Sequence, residues 1–186
     1  MDTWKTVSSR QLLDHPRIQV YEDTVLLPDG TMTDYMHFGM HGNDAATVVA
    51  VDDDKKILIQ KEYSYPPNEW LYQFPGGMIE DGESPEEGAL RELAEEGGYS
   101  GDLRKIGWFY LNNRREARKM HVFIATGLHE AVAEADPGEV FMTYWLTRTE
   151  IDRLVTQGEC VTGVLLATWA LFNAHHHDAG AAVASD

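Results

Sequence analysis

The stretch Gly77-Met-Ile-Glu-Asp-Gly-Glu83-Ser-Pro-Glu-Glu-Gly-Ala-Leu-Arg91-Glu92-Leu-Ala-Glu95-Glu96-Gly-Gly98-Tyr99 constrains the chain most, because it carries the signals for both ends of one short helix. Ser84 is an N-cap residue, Pro85 suits the first helical position, and Glu87 completes a Ser-x-x-Glu capping box. Gly97 and Gly98 supply the left-handed residue that ends the helix. At about 100° per residue, Ala89, Leu90 and Leu93 share a face directed to a core, while Glu92, Glu95 and Glu96 gather on another. Gly88, one turn before Glu92, leaves the acidic face open. Like charges at i,i+4 disfavour a helix by a few tenths of a kcal/mol, and Arg91, four residues from both Glu87 and Glu95, offsets part of this. A cation must balance the rest. Clustered hard oxygen ligands suit Mg²⁺ or Mn²⁺, which bridge to a substrate's phosphates. A solvated Glu-rich helix explains Arg-Glu-x-x-Glu-Glu alone. It does not explain the full spacing: Gly, five residues, Glu, seven residues, Arg-Glu-Leu-x-Glu-Glu-x-Gly.

The length of 186 residues and a hydrophobic share of 43% fit one domain with at most a small appendage. The single cysteine, Cys160, excludes an internal disulfide framework and suits a reducing compartment. No apolar run reaches the ~18 residues of a membrane span, and Met1-Asp-Thr-Trp does not read as a signal peptide, so a cytoplasmic protein is expected. The formal charge of −16 argues against partnership with nucleic acid or an anionic membrane. It also means that a phosphorylated substrate needs cations between itself and the protein.

Along the chain, Arg17–Leu27 and Thr31–Phe38 read as strands joined by the turn Pro28-Asp29-Gly30, forming a hairpin whose apolar surface includes Trp4, Tyr21, Tyr35 and Phe38. Strands follow at Ala46–Val51 and Lys56–Tyr63, with Asp52-Asp53-Asp54 as an exposed turn. Ser64–Glu69 contains Pro66-Pro67 and is expected outside any ladder, and Trp70–Phe74 leads into the Pro75-Gly76-Gly77 bend. Leu103–Leu111 and Lys119–Thr126 are further strands. The loop between them holds Arg114, Arg115 and Arg118, a candidate phosphate clamp, with a solvated hairpin loop as the alternative. Glu139–Leu146 is the next strand, Thr147-Arg-Thr-Glu150 a second capping box opening a helix to about Val155, and Val161–Ala174 an apolar helix. Consecutive His175-His176-His177 do not share a helical face, so a frayed end is expected, with a disordered tail over 178–186. Periodicity alone supports only a mixed α+β or α/β fold.

The pattern from Gly77 to Gly98 resembles the signature of the Nudix hydrolase family, departing at Tyr99, where the family prefers an aliphatic residue. The resemblance implies an α/β fold, the Nudix-type α/β/α sandwich with a mixed central sheet over residues 46–177, plus an N-terminal β-hairpin arm over residues 1–45. The chain looks most like the ADP-ribose and nucleotide-sugar pyrophosphatase branch, in which such an arm helps build a homodimer and part of the substrate pocket. Trp4 and the arginines Arg114, Arg115 and Arg118 are the substrate-binding candidates.

The activity implied is hydrolysis of the diphosphate linkage of ADP-ribose or a nucleoside diphosphate sugar. It uses two or three Mg²⁺ (or Mn²⁺) ions held by Glu92, Glu95, Glu96 and the Gly76 carbonyl. Glu139, six residues before Trp145, is the implied catalytic base, with Glu134 and then Asp136 as rivals. Arg91 organises the carboxylates, Glu83 braces the loop, and Gly77 and Gly98 complete the motif. Departures at Ser64 (a basic residue expected), Gln73 (often Glu), Gly76 (usually Ala) and the Arg-rich loop touch recognition and spare the metal site. The alternatives are a house-cleaning nucleoside triphosphate pyrophosphatase and a non-catalytic nucleotide-sensing domain. An isoprenoid diphosphate isomerase shares the fold but needs Cys/His chemistry not visible here.

Overall fold

A computed structural model describes residues 2–39, 43–133 and 141–181. The chain forms two compact units, Met1–Asn43 with Tyr110–Arg118, and Asp44–Phe109 with Lys119–Asp186. In the smaller unit β1 (Lys5–His15), β2 (Ile18–Leu26) and β3 (Met32–Phe38) form an antiparallel sheet in that order. The β2–β3 turn falls at Pro28-Asp29-Gly30, with the Gly30 N–H on the Leu27 carbonyl at 3.0 Å and Gly30 at φ +84°. The hairpin expected here is thus a three-stranded sheet. β1 escapes sequence reading because all its residues are exposed, so no buried face imposes an alternation. The loop after Tyr110 folds onto β3, the Phe38 N–H bonding the Arg115 carbonyl at 2.7 Å.

In the larger unit β4 (Ala45–Ala50) is buried along its whole length, as its unbroken apolar composition requires. Next come β5 (Ile57–Ser64), β6 (Glu69–Gln73), β7 (Gly76–Met78), β8 (Tyr99–Tyr110), β9 (Lys119–Glu130) and β10 (Phe141–Leu146). β4 pairs antiparallel with β7 and parallel with β9 in a mixed sheet of order β7-β4-β9-β8, and β10-β5-β6 form a second sheet. The helices are α1 (Pro85–Glu92), α2 (Arg148–Thr156) and α3 (Gly163–Ala181). Ala46, Val48 and Ala50 of β4, with Phe123 and Ala125 of β9, form a core with Ala89 and Leu93 of the motif helix. The alternate residues Val49, Val122 and Ile124 point to the opposite face, where α3 packs through buried Leu165, Trp169 and Phe172. The result is the expected mixed α/β fold with helices on both faces of the sheet.

Several boundaries differ from the sequence expectation. α1 passes into a single π turn, Leu93–Gly97, before Gly98 (φ 76°) stops it. β8 begins at Tyr99, where its edge follows the helix directly, and β9 runs on to Glu130. Ser64 and Glu69 do pair in the β5–β6 ladder, because the turn is confined to the residues between them. Residues 178–181, expected to open the disordered tail, continue α3, and the helix is tied down earlier by His175, whose Nε2 lies 2.7 Å from the Ile106 carbonyl oxygen. Among the described residues no helix is long and apolar enough to cross a membrane.

Candidate active site

The capping box sets where α1 begins: Ser84 Oγ accepts from the Glu87 N–H at 3.2 Å, and Glu87 Oε2 accepts from the Ser84 N–H at 2.8 Å. With the helix phase fixed, Arg91 reaches back over the preceding loop. Its Nε and Nη2 donate to Glu83 Oε1 and Oε2 at 2.9 and 3.1 Å, and Nη2 also reaches the Met78 carbonyl at 2.8 Å. Nη1 donates to Glu92 Oε1 and Glu95 Oε2, both at 2.9 Å. The fork geometry of a guanidinium is what lets one cation hold several carboxylates. Bonding to Glu83, then the charge of Glu92 and the hydrogen bonds to Glu92 and Glu95, raise the already high pKa of Arg91 against the opposing effect of burial. Reciprocally, hydrogen bonds from Arg91 and then from the Glu80 N–H hold the Glu83 carboxyl below its ordinary range.

The glycines of the bend have a steric reason. A Cβ on Gly77 would lie 2.4 Å from Glu92 Oε1, and one on Gly76 would lie 2.4 Å from the Ala46 carbonyl oxygen. β7 is therefore a bare backbone held between β4 and a buried carboxylate, Glu92 being only 8% exposed. Glu96 turns to the same strand, its Oε2 accepting from the Gly76 N–H at 2.9 Å and from Gln60 Nε2 at 2.7 Å. Gln60 is fully buried, and its Oε1 has no hydrogen-bond partner. Sequence reasoning passed over Gln60, although a lone amide closing the apolar run Ile57-Leu58-Ile59 was a visible signal.

Arg91 thus ties Glu83, Glu92 and Glu95 together, while Glu92 lies against Gly77 and Glu96 against the Gly76 N–H. Among the described residues no three His, Cys, Asp or Glu side chains converge as a ready-made metal cage. The donor chemistry nonetheless fits a hard dication. Mg²⁺ keeps several waters and takes one or two carboxylates plus substrate phosphates rather than a closed protein cage. Glu92, Glu95, Glu96 and the Gly76 carbonyl are the groups present to supply such ligands.

The other candidates fall in the smaller unit or outside the described residues. Trp4 meets Tyr35 edge-on with centroids 5.8 Å apart, and the Arg115 guanidinium lies 5.5 Å from the same ring. Arg115 Nη1 also donates to the Met36 carbonyl at 2.7 Å, Tyr35 Oη donates to the Arg114 carbonyl, and Arg118 pairs with Glu116. The side chain of Arg114 is exposed. Trp4, Arg114 and Arg115 are therefore grouped around Tyr35, beside a cavity of about 290 Å³ lined also by His37 and Phe38. Glu139, Glu134 and Asp136 lie outside the described residues.

A glycine bend under a carboxylate-bearing helix that is cross-tied by one arginine, on an α/β/α sandwich, is the Nudix arrangement. The NUDIX domain model matches residues 42–161, and the chain belongs to that family and is a Nudix hydrolase. Residues 4–35 match a second model, the nucleoside diphosphate sugar hydrolase N-terminal domain. The chain is 34% identical over 158 residues to an ADP-ribose pyrophosphatase of Bacillus subtilis, covering 83% of this chain and 84% of that one. It is 31% identical over 175 residues to an ADP-ribose pyrophosphatase of Mycobacterium tuberculosis, covering 88% and 80%. A methanol dehydrogenase activator of Bacillus methanolicus is 30% identical over 127 residues, covering 67% and 66%. Among solved structures, an ADP compounds hydrolase superposes with a TM-score of 0.90 over 97% of both chains at 19% identity, a likeness of fold.

Proposed function

We propose that this chain hydrolyses the diphosphate linkage of ADP-ribose or of a nucleoside diphosphate sugar, giving a nucleoside monophosphate and a sugar phosphate. The observation that carries the proposal is the Arg91 network, which gathers Glu83, Glu92 and Glu95 beside Gly76-Gly77. The relatives named as ADP-ribose pyrophosphatases, matched over most of their length, support the substrate class. Two or three Mg²⁺ or Mn²⁺ ions would be held by Glu92, Glu95, Glu96 and the Gly76 carbonyl. When bound, such ions neutralise the diphosphate oxygens and lower the pKa of a bound water.

The chain's own groups do the rest. Arg91 holds Glu92 and Glu95 in place, and Gln60 with the Gly76 N–H orients Glu96. Glu139 takes the proton from the attacking water as its oxygen bonds to phosphorus and the bridging P–O bond breaks. Trp4 and the arginines Arg114, Arg115 and Arg118 contact the base or phosphates. In the same reading the protein is a cytoplasmic homodimer, with residues 1–45 as the arm and 46–177 as the hydrolase domain.

A panel of ADP-ribose, nucleotide sugars and nucleoside triphosphates, assayed with Mg²⁺ and with products identified by ³¹P NMR, tests this. The expected products from ADP-ribose are AMP and ribose 5-phosphate. Pyrophosphate release from triphosphates, with ADP-ribose and the nucleotide sugars intact, would replace the proposal with the house-cleaning reading.

A further inference from the structure

We propose that the larger unit carries a second binding site, for a small organic anion with an apolar body, independent of the hydrolase reading. A cavity of about 480 Å³ lies among Val51, Ile57, Ile124, Phe172 and three cationic side chains, Lys55, Arg104 and Arg148. Its size falls within the range of about 300–1,000 Å³ typical of small-molecule sites, and an apolar floor with few convergent polar groups is their usual chemistry.

Its place in the sheet separates it from the motif. Ile124 alternates with Phe123 and Ala125, which pack toward α1, so the cavity opens on the opposite, α3 side, as its wall Phe172 also shows. Along β4 it lies beyond the far end: Gly76 pairs with Thr47, and Val51 is four residues further on, roughly 13 Å at strand rise.

Two independent features point to an anion. The chain has only 15 Lys and Arg residues and a formal charge of −16, yet three of those cations border this one cavity, whose lining also includes the carboxylate Asp102. In a protein so acidic, solubility does not require such a cluster, and mutual repulsion works against it. Secondly, Lys55 sits at φ 63°, one of two non-glycine residues with positive φ among those described. The turn that imposes this, with the Lys55 N–H on the Asp52 carbonyl at 3.0 Å, would be relaxed by glycine. A lysine there keeps a cation at the cavity against its backbone preference, and such outliers cluster at functional sites. Phosphate or carboxylate would meet Lys55, Arg104 and Arg148, and an aliphatic or aromatic body would lie on Ile57, Ile124 and Phe172.

The probe is 8-anilinonaphthalene-1-sulfonate, an aromatic anion that fluoresces in apolar surroundings, titrated into the full chain and competed with phenyl phosphate, benzoate or toluene. Saturable binding is expected, displaced by phenyl phosphate or benzoate (whichever acts better names the head group) and far less by toluene. Arg104→Ala and Lys55→Gly, both at exposed side chains, should each raise the dissociation constant about tenfold, the loss of one charge-assisted contact. Circular dichroism and hydrolytic activity should be unchanged, since neither residue belongs to the motif site. Absence of saturable binding, affinity unaltered in both variants, or displacement by toluene as effective as by the anions would each overturn the proposal.

Discussion

Replacing Arg91 by methionine keeps a side chain of similar reach and deletes the cation that ties the motif together. Its hydrogen bonds to Glu83, Glu92, Glu95 and the Met78 carbonyl vanish together. One unit charge pair at 4 Å and an effective dielectric near 20 is worth about 4 kcal/mol gross, most of it offset by desolvation. The partners' side chains are 11% to 30% exposed, so the site lies between surface and interior. Breaking a buried pair costs about 3–5 kcal/mol, and partial exposure puts this network near 3 kcal/mol. In urea titrations followed by tryptophan fluorescence at pH 7, a slope of about 2–3 kcal/mol/M converts that into a midpoint lower by about 1 M.

The pH dependence has a definite sign. Glu83 titrates below its ordinary 4.5 in the folded chain, so its contribution is present above that value and is lost as pH falls through the folded pKa. The variant lacks this contribution, so the gap from wild type narrows as pH falls below the ordinary 4.5. Equal midpoints at pH 7, or a gap of undiminished size at pH 3, would refute the electrostatic account.

Gly77→Ala drives a methyl to within 2.4 Å of Glu92 Oε1, so the carboxylate must swing away. A stability loss of about 1–3 kcal/mol by calorimetry is expected, with a fall in turnover of at least about tenfold. Gln60→Leu removes a donor to Glu96 Oε2 together with the orphaned Oε1. Stability should change by no more than about 1 kcal/mol, while Mn²⁺ affinity by paramagnetic resonance titration should weaken, and unchanged affinity would exclude a positioning role. Ser84→Ala should lower stability by about 1 kcal/mol in thermal unfolding, the usual worth of an N-cap. Cys160 is buried, and burial pushes its thiol up to about 11, so Ellman's reagent at pH 8 should label it only after denaturant is added.

What was legible from the residues alone followed from local physics. Both capping boxes stand where Ser84 and Thr147 announce them, because an N-cap bond spans only three residues. The sheet core was legible because Ala45–Ala50 is apolar without interruption. What escaped reading depended on partners distant in sequence. β1 is a strand only because β2 lies alongside it, pairing residues as far apart as Lys5 and Leu26. The Arg-rich loop read equally as a clamp or a solvated turn; nothing local says that Arg115 donates to Met36. Gln60 serves Glu96 across a separation of 36 positions. The π turn keeps the same capping signals as an α-helix, so its extra width left no trace in the residue types.

Glu96 has a structural duty as well as a place in the motif. β7 ends its sheet, and the Gly76 N–H, turned away from β4, is taken up by Glu96 Oε2 instead of by another strand. Truncating that side chain would leave a half-buried backbone amide, beside fully buried Gln60, without this acceptor. An isosteric amide can keep an acceptor for this N–H while discarding the charge, so the choice of substitution decides whether an experiment at Glu96 reads chemistry or backbone support.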